Sequence, residues 1–224
     1  MRWYLLLLLL VLTGCGVSEP MEDASIPPVQ AVPESEPAPM PEPEAADFVR
    51  VQEYLPDILV DLKYAGAENF TGQAVYDFTD AYLRYGTVQK LSSALDILMD
   101  QGYTLLIWDA FRPTQAQFRL WEICPDPVYV ANPETGFSSH SRGNTVDLTL
   151  AALDGEPVEM PTDFDDFSPL ADRDYSDVPA SAAANAQLLE DVLTACGFQP
   201  YTGEWWHFSD LDNYPVEESW SPPK

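Results

Sequence analysis

The fold class and the position of the candidate functional residues follow from one stretch, Ser138-Ser139-His140-Ser141-Arg142-Gly143-Asn144-Thr145-Val146-Asp147-Leu148-Thr149-Leu150. Its second half alternates between polar and apolar side chains, as a β-strand does when its two faces differ. Thr145, Asp147 and Thr149 share the polar face, and Gly143 predicts a turn that folds His140 back toward Asp147. The stretch therefore predicts a turn and a strand that bring an imidazole and a carboxylate together.

Outward from this stretch, the sequence predicts strands and helices in an irregular order. Strands are predicted at 58–62, 103–108 and 204–208, and helices at 87–101, 113–123 and 181–196. In the last helix, Ser181 is expected as the N-cap and Gly197 as the C-terminal stop. Because the strands are separated by irregular stretches rather than regular βαβ units, we expect an α+β domain.

The composition excludes several classes of partner and scaffold. The 224 residues include 37 acidic and ten basic side chains, a formal net charge of −27. Nucleic acids and anionic membrane surfaces need basic patches, so neither is an expected partner. Three cysteines are too few for a disulfide-dense scaffold or a four-cysteine zinc site. Sequence separation does not fix geometry, so pairing of Cys124 with Cys196 stays open.

Residues 1–15 are typical of a bacterial export signal. Arg2 precedes an apolar run, 3–12, that is too short to span a bilayer core of about 30 Å. Leu12-Thr13-Gly14-Cys15 resembles the lipobox of bacterial lipoproteins, in which the cysteine carries the lipid. The resemblance implies an exported protein anchored through Cys15 to the outer face of the cell membrane; an ordinary secretory signal is the alternative.

Residues 16–47 are predicted to be a disordered tether. They hold eight prolines and eight acidic side chains and no lysine or arginine, a composition that cannot bury a core. Residues 48–224 carry 29 acidic and nine basic side chains, a net charge of −20, and are long enough for one domain. The oligomeric state is left open.

The only two histidines of the chain, His140 and His207, both lie in polar surroundings. The second belongs to Glu204-Trp205-Trp206-His207. Catalytic zinc sites take three nitrogen or oxygen ligands and leave a fourth position for water, so two histidines and a carboxylate predict one zinc ion per chain. Glu204 and His207 are three residues apart and would point to opposite faces of a regular strand. A bulge or twist is therefore expected between them.

The pattern Ser-x-His-x-x-Gly-x-x-x-Asp, followed by Glu-x-Trp-His, resembles the zinc D-alanyl-D-alanine peptidases of the vancomycin-resistance type, peptidase family M15. Within these peptidases, the chain looks most like the dipeptidases. Supporting stretches are Asp61-Leu62-Lys63-Tyr64-Ala65, Asn69-Phe70-Thr71-Gly72, Val75-Tyr76 and Asp109-Ala110-Phe111-Arg112-Pro113. The resemblance covers residues 50–210. It implies a hedgehog-like fold with a small central antiparallel sheet flanked by helices.

The resemblance also implies a role for each site residue. The implied zinc ligands are His140, Asp147 and His207, and the implied catalytic residues are Glu204, as the base toward the attacking water, and Arg112, as the group that stabilises the transition state. A surface ion pair is the alternative for Arg112.

Two further residues are implied to bind substrate. Ser138 would help to hold the amino end, and Asp165 would face the substrate ammonium. Asp166 is the rival of Asp165, and a merely solvated acidic loop is the other alternative. Met160-Pro161 replaces the Met-Gly that is usual in the family, which bears on the path of this loop.

The implied activity is hydrolysis of D-Ala-D-Ala to two D-alanines, in turnover or salvage of cell-wall peptides. One alternative is a D,D-carboxypeptidase that trims terminal D-Ala from peptidoglycan stem peptides, which needs an open cleft. A dipeptidase needs a closed pocket that binds a free ammonium. The other alternative is a non-catalytic module that binds wall peptide or metal.

Overall fold

A five-stranded sheet organises the protein in a computed structural model that describes residues 42–223. In chain order the elements are β1 (Phe48–Arg50), α1 (Val51–Tyr54), β2 (Leu59–Val60), β3 (Tyr82–Arg84), α2 (Tyr85–Met99), β4 (Tyr103–Asp109), α3 (Thr114–Ile123), β5 (Thr145–Ala152), α4 (Ala180–Ala195), β6 (Phe198–Pro200) and β7 (His207–Asp210). Short 3-10 turns lie at Lys63–Ala65, Ser139–Arg142, Pro169–Ala171 and Tyr175–Asp177. The α+β class is confirmed.

The sheet has the strand order β2-β4-β5-β7-β6. Only β2 pairs in parallel, with β4, and the other neighbours are antiparallel. A separate ribbon pairs β1 with β3. Helices α2 and α4 contact each other and the sheet, and most of their buried apolar side chains belong to one continuous core. This core fixes β4, β5 and β7 side by side, and the site lies on these three strands.

Two local predictions were wrong. Helix α4 begins at Ala180 with Pro179 at the N-cap, and the Ser181 hydroxyl donates to Glu159 Oε2 at 2.5 Å instead of capping the helix. The last strand begins at His207 rather than at residue 204, because the preceding residues form a turn. Gly197, with φ of 92°, follows α4 as predicted.

The ordered domain begins before the expected boundary at Phe48. Tyr85 N donates to Asp47 O at 2.8 Å, and Gly86 N donates to Ala45 O at 3.0 Å. Arg84 Nη1 donates to Ala46 O at 2.7 Å. Residues 44–47 therefore belong to the domain and not to a disordered tether. The remainder of the predicted tether up to residue 41 and the predicted signal at 1–15, with Cys15, lie outside the described residues.

Two further observations concern the described part of the chain. Cys124 and Cys196 are both free thiols there. Between residues 42 and 223, none of the helices has the length and apolar character needed to cross a membrane.

Candidate active site

Two histidines and one aspartate converge where β5 and β7 pair. His207 Nδ1 lies 2.9 Å from Asp147 Oδ1, and His140 Nε2 lies 3.4 Å from Asp147 Oδ2. The two imidazoles approach to 3.4 Å between His140 Nε2 and His207 Nδ1. One nitrogen or oxygen from each residue falls within 4.8 Å of the other two, an arrangement that could hold a metal ion.

The backbone explains why these three side chains meet. Asp147 and His207 are directly opposite each other in the antiparallel pair β5–β7. His140 sits in the turn Ser139–Arg142, which ends at Gly143 with φ of 77°. His140 Nδ1 is 2.8 Å from Ala110 O, so it carries the proton and leaves the lone pair on Nε2 facing Asp147 and His207. The predicted turn at Gly143 is confirmed.

The chemistry of this donor set fits a divalent metal. Asp147 Oδ1 is buried and accepts no hydrogen bond, although His207 Nδ1 is close to it. A buried carboxylate oxygen without a donor is costly unless a cation binds it. Two imidazole nitrogens and a carboxylate are the ligands of many catalytic zinc sites.

Burial alone would raise the pKa of Asp147, but the adjacent His140 and His207 outweigh it and hold the pKa well below its usual value. Burial would lower the pKa of His140, and Asp147 and Asp109 instead raise it. The ionised form of Asp147 is therefore the stable one.

Glu204 reaches the same site through the turn before β7. His207 N donates to Glu204 O at 3.3 Å, and this turn brings Glu204 Oε2 to 3.5 Å from His207 Nδ1. The predicted distortion between the two residues is thus a turn rather than a bulge. Arg173 Nη2 donates to the carbonyl oxygens of both Glu204 and His207 at 3.0 Å and braces this turn. Burial, and then the charge of Asp147, raise the pKa of Glu204.

Arg112 forms a buried ion pair rather than a surface one. Its side chain is 11% exposed, and its Nη2 and Nε donate to Asp109 Oδ2 at 2.7 and 3.3 Å. Burial opposes the charge of Arg112, but Asp109, Tyr76 and Tyr64 offset it and hold the pKa well above its usual value. The guanidinium also lies 5.1 Å from the ring centroid of Tyr64.

Asp109 is a site residue to which the sequence pattern gave no role. An irregularity in the pairing of β4 with β5, between Ile107 and Asp109, places it opposite Asp147. Its Oδ1 accepts from Tyr76 Oη at 2.7 Å and from Ala110 N at 2.9 Å. Bulges of this kind are common beside active sites. The sequence offered one signal for this role, because Asp109 lies three residues before Arg112 and so within reach of an ion pair with it.

Asp165, rather than Asp166, enters the site. Its φ is 59°, a left-handed conformation that is strained for a residue other than glycine. Its carboxylate accepts from Tyr64 Oη and from Phe70 N, each at 3.2 Å. Burial raises the pKa of Asp165 to about 7, although the Phe70 amide opposes the shift. Asp166 instead accepts from Ser168 N at 2.8 Å and lines a different groove.

These groups surround one small cavity of about 120 Å³. Its lining comprises Tyr64, Arg112, Tyr129, Ala131, Ser138, His140, Asp147, Asp165, Phe167, Glu204, Trp206 and His207. All seven residues that the sequence nominated for metal, catalysis and substrate are therefore brought together. Ser138 also accepts a hydrogen bond from His140 N at 3.4 Å. Tyr129 and Phe167 were not foreseen, because the loops that carry them have no periodic pattern.

The chain is similar to a known family and to several named proteins. Residues 44–221 match the Peptidase M15 family, described as D-Ala-D-Ala dipeptidase. The D-alanyl-D-alanine dipeptidase of Escherichia coli (strain K12) is 38% identical over 175 residues, 77% of this chain and 90% of that protein. The Streptomyces coelicolor protein of the same name is 37% identical over 191 residues, 73% of this chain and 91% of that protein.

A third relative and a solved structure are more distant. The D-alanyl-D-alanine dipeptidase of Enterococcus faecium is 33% identical over 189 residues, 75% of this chain and 94% of that protein. The solved structure of VanYB in complex with D-alanine-D-alanine is 15% identical with a TM-score of 0.39, and the match covers 59% of this chain and 73% of that chain.

Proposed function

We propose that this chain, which belongs to the M15 family of D-Ala-D-Ala dipeptidases, hydrolyses D-alanyl-D-alanine to two molecules of D-alanine. The observation that best supports this proposal is the convergence of His140, Asp147 and His207 with Glu204 and Arg112 around one small cavity. The relatives that share most of their length with this chain are dipeptidases of this name. A non-catalytic binding module would have no need for a buried base and a buried arginine at the same cavity.

The metal that we assign to the site is a single zinc ion held by His140 Nε2, His207 Nδ1 and the Asp147 carboxylate. Bound there, zinc polarises a water molecule and the carbonyl of the peptide. The unpartnered Asp147 Oδ1 and the proton on His140 Nδ1 both prepare the donor set for a cation.

Glu204 is the proposed general base and acid. Its carboxylate accepts a proton as the water oxygen attacks the carbonyl carbon of the peptide. It returns that proton to the nitrogen of the leaving amine as the C–N bond breaks. A raised pKa suits both steps, because a group that must take and release a proton works best when its pKa is near the working pH.

Arg112 is the proposed partner of the oxyanion that forms during the attack. Its guanidinium lines the cavity, and Asp109 fixes its orientation through two hydrogen bonds to one oxygen. A donor that is already oriented in a water-poor site stabilises developing negative charge without reorganisation. Asp109 is thus a positioning residue for Arg112.

Asp165 is the proposed anion for the free ammonium of the substrate. Tyr64 Oη and Phe70 N hold its carboxylate, and the left-handed backbone turns it into the cavity lining. Ser138 lies in the same lining and can accept a hydrogen bond from the substrate.

The size and rim of the cavity favour a dipeptidase over a D,D-carboxypeptidase. About 120 Å³ is well below the roughly 300–1,000 Å³ of common ligand pockets. Tyr129 and Phe167 line the cavity, are 46% and 38% exposed, and pack together with ring centroids 4.9 Å apart. Both rings share the cavity lining with Asp165, and Phe167 follows it by two residues, so we propose that they limit the space for an extension of the substrate amine.

The test is D-Ala release by the zinc-loaded chain from free D-Ala-D-Ala and from an N-acylated peptide that ends in D-Ala-D-Ala. We expect cleavage of the free dipeptide alone and loss of activity after chelation. Cleavage of the acylated peptide would favour the carboxypeptidase. Bound zinc with neither substrate cleaved would leave a binding module.

We further propose that the enzyme acts outside the cell, tethered through a lipid on Cys15. The lipobox-like sequence and the proline-rich acidic stretch after it support this location. An exported dipeptidase would act in turnover or salvage of cell-wall peptides. Incorporation of a labelled fatty acid in bacteria, lost in Cys15→Ser, would support the anchor. Export without label would indicate an ordinary secretory signal.

A further inference from the structure

The C-terminal tail, residues 211–223, packs behind the turn that carries His140. The tail has no regular helix or strand, and many of its side chains are exposed. Glu217 N donates to Ser141 O at 2.8 Å, and Arg142 Nη1 donates to Tyr214 O at 2.7 Å. The tail is therefore bonded directly to the two residues that follow His140.

The same turn is bonded to Arg112. Ser141 Oγ donates to Arg112 O at 2.8 Å, and Arg112 N donates to His140 O at 3.3 Å. A shift of this turn would thus move an imidazole of the metal site and the arginine of the cavity together. No residue of the tail belongs to the cavity lining, so we treat any effect of the tail on the cavity as one that acts through the turn.

Trp220 is the anchor of the tail. Its ring stacks on Phe48 with centroids 4.3 Å apart and an angle of 2°, and it also meets Phe111 at 5.3 Å and Tyr82 at 5.4 Å. Phe111 immediately precedes Arg112. Aromatic pairs of this kind add stability beyond that of the area they bury.

Glu217 links this anchor to the turn. Its Oε1 accepts from Trp220 N at 2.9 Å and from Ser219 N and Oγ at 2.9 and 2.7 Å. These bonds fold the tail so that the indole packs on Phe48 while the Glu217 amide donates to Ser141 O. Residues 211–214 are held separately, since Asn144 Nδ2 donates to Asp212 O at 2.8 Å and Tyr214 is buried. Loss of the indole would therefore free chiefly the irregular stretch 217–223.

We propose that Trp220 is a positioning residue for the metal site, because the tail that it anchors holds the Ser139–Arg142 turn in the geometry that presents His140. This inference rests on the proposed zinc site. Residues that do not bind a metal but orient its ligands weaken metal affinity by roughly 10–100-fold when they are mutated. Trp220 would act in this way through the backbone of the turn.

The experiment measures zinc affinity by chelator competition for the full chain and three tryptophan variants. Trp220→Ala removes the anchor and Trp220→Phe keeps an aromatic ring that can stack on Phe48. Trp121→Ala is the matched control, since Trp121 is also a half-buried indole but lies in α3 rather than in the tail. Hydrogen exchange of the Glu217 amide in the metal-free proteins reports docking of the tail without any use of activity.

We expect Trp220→Ala to weaken zinc binding by about tenfold or more, to speed exchange of the Glu217 amide, and to lower kcat more than it raises KM. We expect Trp220→Phe to restore most of the affinity and Trp121→Ala to leave it unchanged. Equal affinity in wild type and Trp220→Ala would overturn the inference, as would an equal loss in Trp121→Ala.

Folding of Trp220→Ala and zinc binding by the wild-type chain are checked separately. If Trp220→Ala does not fold, Glu217→Ala decides, because it removes the carboxylate that accepts from Ser219 and from Trp220 N. It also removes the ion-pair partner of Arg84, so Glu217→Gln, which keeps the Oε1 acceptor without the charge, is its control. Unchanged zinc affinity in Glu217→Ala would then overturn the inference, and weaker affinity would support it. Failure of the wild-type chain to bind zinc would contradict the proposed metal site itself, which is distinguishable from a failure of Trp220.

Discussion

Asp147 illustrates how single residues set the chemistry of this site. It is buried, yet two imidazoles keep its pKa low, so it retains a negative charge in a place that water reaches poorly. Glu204 lies a few ångströms away with its pKa raised. The pKa values of the two carboxylates in this cavity are thus shifted in opposite directions. Asp147 is suited to holding a cation, and Glu204 is suited to carrying a proton.

Glu204→Gln separates these two roles. The amide has nearly the same shape as the carboxylate but cannot accept the proton of the attacking water. We expect bound zinc to be unchanged and kcat on D-Ala-D-Ala to fall by at least about 100-fold. Metal analysis of the same preparation is the control. Substantial turnover in a zinc-replete Glu204→Gln protein would show that another group is the base.

Asp109→Asn tests the buried ion pair. The change leaves the Arg112 guanidinium buried without its counter-charge, so the free energy of unfolding should fall by about 3 kcal/mol. Asp61→Asn removes an exposed carboxylate that pairs with Lys63 and should cost less than about 1 kcal/mol. Denaturant titration compares the two. Equal losses would mean that the Asp109–Arg112 pair contributes no more than a surface pair.

At the residue scale, the sequence predicts the groups that lie within short motifs and not those that arrive from elsewhere. His140, Asp147, Glu204 and His207 stand out because few residue types can do metal and proton chemistry. Arg173 braces the Glu204 turn from a distant irregular segment, with no periodicity to mark it. Its role depends on how loops pack, which local sequence does not encode.

At the scale of elements, turns do most of the positioning. The 3-10 turn at Ser139–Arg142, the turn before β7 and the irregularity at the end of β4 each redirect one functional side chain. Helices α2, α3 and α4 were predicted to within two residues at each end, whereas the four-residue α1 was not predicted. The turns were not fully predictable, because their shape depends on contacts with the tail and with distant loops.

Gly143→Ala tests the turn that carries His140. An added Cβ would clash with the ring of Phe48, at a φ of 77°, so strain and overpacking together should cost roughly 2–4 kcal/mol. Gly102→Ala is the control, since its φ is 88° with open space around it, and should cost about 1 kcal/mol. Denaturant unfolding of both variants measures the difference, and similar losses would mean that Phe48 yields easily.

The loops that carry Tyr129 and Phe167 should set the choice of substrate. Tyr129→Ala and Phe167→Ala open the end of the cavity near Asp165, so kcat/KM for an N-acylated peptide should rise about tenfold or more relative to the free dipeptide. Phe118→Ala, which removes an exposed ring paired with Phe137, should not change this ratio. An unchanged ratio in both rim variants would show that these two rings do not set the selectivity.

At the scale of the whole molecule, charge is the dominant feature. Residues 48–224 carry a net charge of −20, and many of the acidic side chains are exposed. Self-repulsion of this size opposes the compact state. The core must therefore supply stability against it, as the continuous cluster under α2, α4 and the sheet does.

Salt should therefore stabilise the domain. Raising NaCl from about 20 mM to about 300 mM shortens the screening length from roughly 20 Å to roughly 6 Å. We expect Tm to rise by about 2–4 °C, the shift that about 1 kcal/mol produces in a domain of this size. Thermal unfolding of the metal-free chain, where added salt cannot affect zinc, gives the measurement. A flat or falling Tm would mean that local ion pairs outweigh the net charge.

The meeting of the two ends of the domain has a consequence for engineering. Glu42 and Trp220 border one shallow hollow on the surface, together with Phe48 and Glu217. In a protein trimmed to residues 42–223, a short linker could close the domain into a ring at this seam, and a new opening in the exposed hairpin at 153–156 would give a circular permutant. Such a permutant would keep every strand in its place and would move both ends from this seam to the hairpin, which begins six residues after Asp147.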